Sequence, residues 1–210
     1  MRVIIGCEFS GIVRDEFRKL GHDAWSCDLL ECEKGRDYHI QGNIFNNLWG
    51  GWDMLIFHWP CTRLCNSGVR WLYGGKGEIR DECRWANMQD DAHKFKDLIT
   101  CDIPKICGEN PIMHCYARAI VGIKYSQIIQ PWQFGHGETK ATCLWLKNLP
   151  LLKPTQIVDG RIARVHRVSP GPDRWKERSR TLPGIAKAMA EQWGSLVPDA
   201  QSPQPDLNLK

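Results

Sequence analysis

Two dipeptides in this sequence carry side chains able to do covalent and proton chemistry. Pro60-Cys61 comes shortly after the apolar run Met54-Leu55-Ile56-Phe57, and Glu109-Asn110 directly follows Lys105-Ile106-Cys107-Gly108. An ionised thiol is a nucleophile and a carboxyl group beside it can give or take a proton, so the two together could run covalent catalysis. Cys61 also admits two other readings. With Cys65 it forms a C-x3-C pair, but no second close pair of Cys or His follows at finger-like distance and Cys101 with Cys107 is too loose, so no metal site is expected. The remaining reading is an inert packed thiol, against which stands its position just beyond an apolar run. Glu8, Phe9, Ser10 and Gly11 occupy a similar position after Val3-Ile4-Ile5-Gly6-Cys7. A tight glycine turn that opens a helix presents backbone N–H groups to a ligand, and Asp28, seventeen residues beyond Gly11, is spaced to bind ribose hydroxyls.

The elements that must position these residues alternate along the chain. Residues 3–7, 24–27, 53–57, 105–108 and 142–146 read as short strands. Between them Val13, Phe17 and Leu20 recur at helical spacing up to a Gly21 stop, and Trp85, Met88, Ala92, Phe95 and Ile99 fall on one helical face. An alanine-rich helix runs from Ile185 to Trp193. This order predicts an α/β fold, a mostly parallel sheet with helices on both faces. Ligands of such sheets bind at the carboxyl ends of the strands, the edge where Glu8, Ser10, Asp28, Cys61 and Glu109 are all expected.

Composition narrows the class further. With 210 residues, 42% of them hydrophobic and 25% charged, the chain suffices for one domain over residues 1–197, followed by a disordered, Pro- and Ser-containing tail over 198–210. No apolar run approaches the eighteen or so residues of a membrane span, and the N-terminus does not read as a signal peptide, so a cytoplasmic protein with mostly reduced cysteines is expected. A formal charge of +4 permits nucleic-acid binding without demanding it.

Taken in order, Phe9-Ser10-Gly11, Asp28, Pro60-Cys61 with Gly68 seven positions on, Glu109-Asn110 and the segment Pro183-Gly184-Ile185-Ala186-Lys187-Ala188 form a recognisable set. The chain resembles the cytosine-5 DNA methyltransferase family over most of residues 1–194, and within it the short cytosine methylases of phages and prophages. The resemblance implies a Rossmann-like methyltransferase fold and S-adenosylmethionine as methyl donor. Cofactor contacts fall to Glu8, Phe9, Ser10 and Gly11, to Asp28 and Asn43, and to Asp53, Pro60 and Ile185. Cys61 would add to C6 of a cytosine that is flipped from a duplex or already single-stranded, Glu109 would hydrogen-bond its N3 edge beside Asn110, and Lys140 stands nearest to the family's base-contacting arginine. Arg63 and His58 are the cations available to acidify Cys61. His114 and His136 are unassigned polar residues, and Trp132 and Trp145 read as core or rim aromatics.

The sequence also departs from the family pattern. Cys7-Glu8 replaces an acid followed by an apolar residue, Val13 a second glycine, Asn43 an acid and Trp59 a smaller residue. The recognition region is missing: only about thirty residues separate Leu149 from Thr181. Within the basic loop 150–181, however, the stretch from Arg161 to Arg180 sets Arg161, Arg164, Arg167, Arg174, Lys176, Arg178 and Arg180 against only Asp173 and Glu177, a composition suited, with Arg63, to phosphate contacts on DNA. Such contacts position without reading sequence, so relaxed specificity is expected. Two other functions fit the same residues: an enzyme of this fold acting on a free or single-stranded nucleotide, and a non-catalytic binder of nucleic acid or nucleotide. Oligomeric state is left open.

Overall fold

The computed structural model describes residues 1–74, 79–169 and 171–196; the expected disordered tail and Pro170 lie outside them. Seven strands form one sheet in the order β3-β2-β1-β4-β7-β9-β8: β1 (Arg2–Gly6), β2 (Asp23–Asp28), β3 (His39–Gln41), β4 (Met54–Phe57), β7 (Lys105–Pro111), β8 (Gln127–Ile129) and β9 (Thr142–Lys147). The block from β3 to β7 is parallel, whereas β9 runs antiparallel to both β7 and β8. A separate two-stranded hairpin, β5 (Tyr73–Gly74) with β6 (Ile79–Arg80), follows the catalytic-candidate turn. The helices are α1 (Ile12–Lys19), α2 (Glu82–Thr100), α3 (Cys115–Val121), α4 (Arg164–Arg167), α5 (Arg174–Ser179) and α6 (Pro183–Gly194). This is a Rossmann-like α/β methyltransferase fold. The strands β3, β8 and the hairpin were not legible as elements, being only two or three residues long.

Strand alternation divides the apolar side chains between two cores. Ile4, Leu55, Phe57, Ile106 and Trp145 meet Met88, Ala92, Phe95 and Leu98 of α2 and Ala117 and Val121 of α3. On the opposite face Val3, Ile5, Met54, Ile56, Cys107 and Leu144 meet Val13 and Phe17 of α1 and Ile185, Met189 and Trp193 of α6. Because the central strands are covered on both sides, they read as unbroken apolar runs. Trp145 is thus a core residue, its indole N–H donating to the Ile123 carbonyl. Ile185, expected to touch a cofactor, packs in this second core.

Helix starts are fixed by polar side chains. Asp81 accepts the Arg84 N–H at the start of α2, and the buried His114 ring accepts the Ala117 N–H at the start of α3. The unassigned His114 is therefore a helix cap. His136 has a matching role: its Nε2 accepts the Gly184 N–H at 2.9 Å and fixes the entry to α6. At Gly184 a Cβ would stand 1.9 Å from the Phe134 carbonyl oxygen, which belongs to backbone and cannot swing away. Gly184→Ala is therefore expected to destabilise the protein by about 1–3 kcal/mol, measurable as a lowered midpoint of urea unfolding at unchanged slope.

Candidate functional site

The parallel pairing β1–β4–β7 is in register, with Gly6 beside Phe57 and Phe57 beside Gly108. Cys7 and His58 therefore leave the sheet at the level of Glu109, where β7 has run past the end of β4 and continues only against β9. The antiparallel β9 brings its amino end, rather than its carboxyl end, to the same edge, since Pro111 pairs with Thr142. Lys140 reaches the edge for that reason alone. Four candidate catalytic residues, Cys61, Glu109, Asn110 and Lys140, are consequently drawn together from three separate stretches of sequence.

Each is held by identifiable contacts. Asn110 is buried and its Nδ2 donates to the Trp59 carbonyl at 3.0 Å, tethering the backbone that leads into Pro60-Cys61. The Cys61 carbonyl accepts the N–H groups of Leu64 and Cys65, closing a helical turn. Gly68 ends this loop where any Cβ would strike the Thr62 carbonyl oxygen at 2.0 Å. Lys140 Nζ donates to the Arg178 carbonyl at 3.1 Å. Glu109 Oε2 accepts from His58 Nδ1 at 2.8 Å and from the Thr181 hydroxyl at 3.4 Å. Burial works against a charged Glu109, but His58, Lys140 and Thr181 overcome it and hold the carboxyl at about 2. Burial likewise opposes a charged His58, yet Glu109 and Glu8 leave its pKa above the usual value.

The cations around Cys61 differ from those expected. Arg63 pairs with Asp91 of α2 at 2.8 Å and His58 faces Glu109, so neither acidifies the thiol. Lys140 and Arg178 stand in their place. Their pull is outweighed: the neighbouring Cys65 and burial push the Cys61 thiol up, while Cys65 is drawn down by its bond with Cys61 and by Ser67 and the Gly68 N–H. Contact between the two thiols thus favours the neutral form of Cys61, and the donors around Cys65 favour the charged form of Cys65. Neither cysteine is in a disulfide, and no group of metal ligands occurs among the described residues.

The cofactor candidates are more dispersed. Glu8 does not point its carboxylate at a ligand: buried, it accepts the Val13 N–H at 2.6 Å and the Arg14 N–H at 3.3 Å. The free N–H groups expected at the start of α1 are therefore already used. Gly11 is left-handed (φ 65°) and carries the turn between Ser10 and the helix. Phe9, Asp28 at the end of β2 and Asn43 after β3 share the carboxyl edge. Asp28 Oδ1 accepts the Leu30 N–H, and Asn43 Oδ1 accepts the Phe45 N–H. Asp53 is a correction: it lies at the amino end of β4, at the opposite edge of the sheet, where it takes the Arg2 N–H at 2.7 Å.

The basic segment is not the open loop expected, since α4 and α5 form within it. Its charges are also less free than the local count implied. Arg164 pairs with Glu138, Arg180 with Glu33 and Lys176 with Asp173, and Arg161 stacks 4.0 Å from the centre of the Trp132 ring. Arg164, Arg167 and Arg174 do line an open concavity of about 500 Å³. None of Cys61, Glu109 and Lys140 lines it. Beyond it the segment folds back across the sheet edge: the Trp175 ring rests 5.6 Å from that of Phe9, and Ser179, Arg180 and Thr181 close a cavity of about 30 Å³ with Cys7, Glu8, Phe9, Ser10 and His58. Trp175, Glu33 and Thr181 carried no signal in the sequence, because long-range contact alone involves them.

No family model matches this chain, and neither does any curated protein. Among solved structures, a methyltransferase of Entamoeba histolytica, EhMeth, is similar at a TM-score of 0.50 and 14% identity, over 81% of this chain and 60% of that one. A protein encoded within an E. coli prophage and described as a DNA modification methyltransferase is similar at a TM-score of 0.47 and 13% identity, over 81% and 55%. The chain thus spans less than two thirds of either length, and the likeness is one of fold.

Cys65→Ala removes the largest influence that raises the Cys61 thiol. Alkylation of Cys61 by iodoacetamide at pH 7.5, followed by peptide mass spectrometry, should accelerate about tenfold for each unit by which the pKa falls. An unchanged rate would show that Cys65 does not control it.

Proposed function

We propose that this chain is a single-domain, S-adenosylmethionine-dependent methyltransferase that modifies cytosine C5 in DNA through a covalent bond from Cys61 Sγ to C6. The observation that supports this reading most is the convergence of Cys61, Glu109 and Lys140 at one sheet edge, next to Phe9 and Asp28. The donor set fits the cofactor: Phe9 offers a ring face to the adenine, Asp28 an acceptor to the ribose hydroxyls, and Asn43 an amide whose oxygen is already engaged. Bound S-adenosylmethionine supplies an electrophilic methyl group. A cavity of about 30 Å³ is far smaller than the several hundred Å³ a ligand pocket requires, so the α5 segment must draw back to admit it. The contacts to be released include an Arg180–Glu33 pair at the surface and a tilted ring pair, each worth about 1 kcal/mol, and the Lys140 hydrogen bond to the Arg178 carbonyl.

In this reading the Cys61 thiolate attacks C6, Glu109 meets the N3 edge where charge develops, and Lys140 with Arg178 offers positive charge beside the sulfur. Asn110 acts through the backbone by holding the Pro-Cys loop. Arg167 and Arg174 in the basic concavity serve the phosphate backbone. A cytoplasmic site of action accords with the reduced cysteines; among the described residues no helix is long and apolar enough to cross a membrane. The setting of Cys61 favours a second reading, a nucleic-acid binder without turnover, since the neighbouring Cys65 and burial both push its thiol up.

Tritiated S-adenosylmethionine incubated with DNA containing 5-fluorocytosine separates the two. Fluorine at C5 blocks the final elimination, so the enzyme should be trapped as a labelled adduct stable to denaturing electrophoresis and absent from Cys61→Ala. DNA binding without an adduct would leave the binder. Binding should also weaken with salt, log K falling linearly with log salt, and the slope should shrink by about one for Arg174→Ala. A flat salt dependence would remove the phosphate role.

A further inference from the structure

The His58–Glu109 contact joins two residues one step beyond the paired Phe57 and Gly108. The His58 side chain is about nine-tenths buried and its Nδ1 lies 2.8 Å from Glu109 Oε2, while its Nε2 is buried without a partner. It forms part of the wall between the Phe9 cleft and Glu109. The groups facing it come from every neighbouring element: Glu8 and Cys7 after β1, Asp28 at the end of β2, Glu109 on β7, Lys140 before β9, and Arg180 and Thr181 before α6. Both acids and cations are among them, and only His58 ordinarily changes charge near neutral pH.

We infer that His58 is the proton-holding partner of Glu109, a positioning residue that supplies through the carboxylate the proton delivered to the base. The inference rests on the cytosine reading above. A carboxyl group held as an anion by a cation cannot donate a proton of its own, so the pair donates as a unit. When the Cys61 thiolate forms its bond to C6, the C5–C6 electron pair moves into the ring and N3 takes a proton from Glu109. Glu109 takes the Nδ1 proton of His58 in the same step. An imidazolium, a carboxylate and a thiolate thus become a neutral imidazole, a carboxylate and a neutral adduct. When C6–S breaks after methyl transfer, the N3 proton returns by the same route, and the C5 proton leaves to water. The sulfur's charge is thereby cancelled inside a buried site without a free ion appearing on the ring.

Two measurements on the intact protein test this. In the first, NMR titration of protein labelled with ¹⁵N-histidine follows His58 directly. Its imidazolium should persist above the ordinary midpoint near 6.5, and Glu109→Gln should lower that midpoint. A wild-type His58 that titrates at or below the ordinary value overturns the inference. In the second, the rate of adduct formation on 5-fluorocytosine DNA is measured against pH. The wild-type rate should fall on the alkaline side at the pH where NMR shows His58 losing its proton. His58→Asn, which keeps a donor toward Glu109 but cannot ionise, should be slower by about 10²-fold and lose that limb, with DNA affinity unchanged. A His58→Asn protein that matches the wild type in rate and profile overturns the inference alone. A wild type whose pair titrates as expected but which forms no adduct overturns the cytosine reading, and the inference with it.

Discussion

Everything at this sheet edge depends on the register of three parallel strands. With Gly6, Phe57 and Gly108 aligned, the chain leaves β1 and β4 at the height where β7 runs on alone against β9, and a glutamate on β7 meets the histidine that follows β4. A slip of one residue would turn His58 away from Glu109 and send apolar side chains to the wrong core. The two cores prevent such a slip. Ile4, Leu55 and Ile106 bury on one face and Ile5, Met54 and Cys107 on the other, so packing energy spread over the whole sheet fixes a contact of 2.8 Å at its rim.

The electrostatics of the rim follow from that crowding. Two carboxylates, Glu8 and Glu109, are buried within reach of one imidazole, and they are satisfied differently. Glu8 spends its oxygens on the N–H groups of α1, and burial still raises its pKa. Glu109 has a cationic partner and is held near 2. Two acids of nearly equal intrinsic strength are thus driven apart, one into a structural cap and the other into an anion paired with His58.

Much of this was legible in the sequence, and what was not has a physical reason. The strand-end positions of Glu8, Asp28, Cys61 and Glu109 could be read because apolar runs and turns are local signals. The partners could not. Arg63 and His58 look equivalent as neighbours of Cys61 in the sequence, but one swings to Asp91 of α2 and the other to Glu109, a choice made by strand register and helix packing. Asp53 illustrates the opposite error, since an acid that starts a strand looks much like one that ends it until the strand direction is known. The charge count of the basic segment failed for a similar reason, because Glu33 and Glu138 reach it from elsewhere in the chain.

The segment that carries α5 touches both halves of the rim. Trp175 lies against Phe9, and a few residues later the Arg178 carbonyl holds Lys140 beside Cys61. A molecule that lifts Trp175 from Phe9 must also disturb the hold on Lys140, and one that draws Lys140 toward itself must tug on Trp175. Thermodynamic reciprocity then makes each occupant's affinity conditional on the other by the same factor. Any two molecules bound on either side of Cys61 would in this way be joined through a single short stretch of chain.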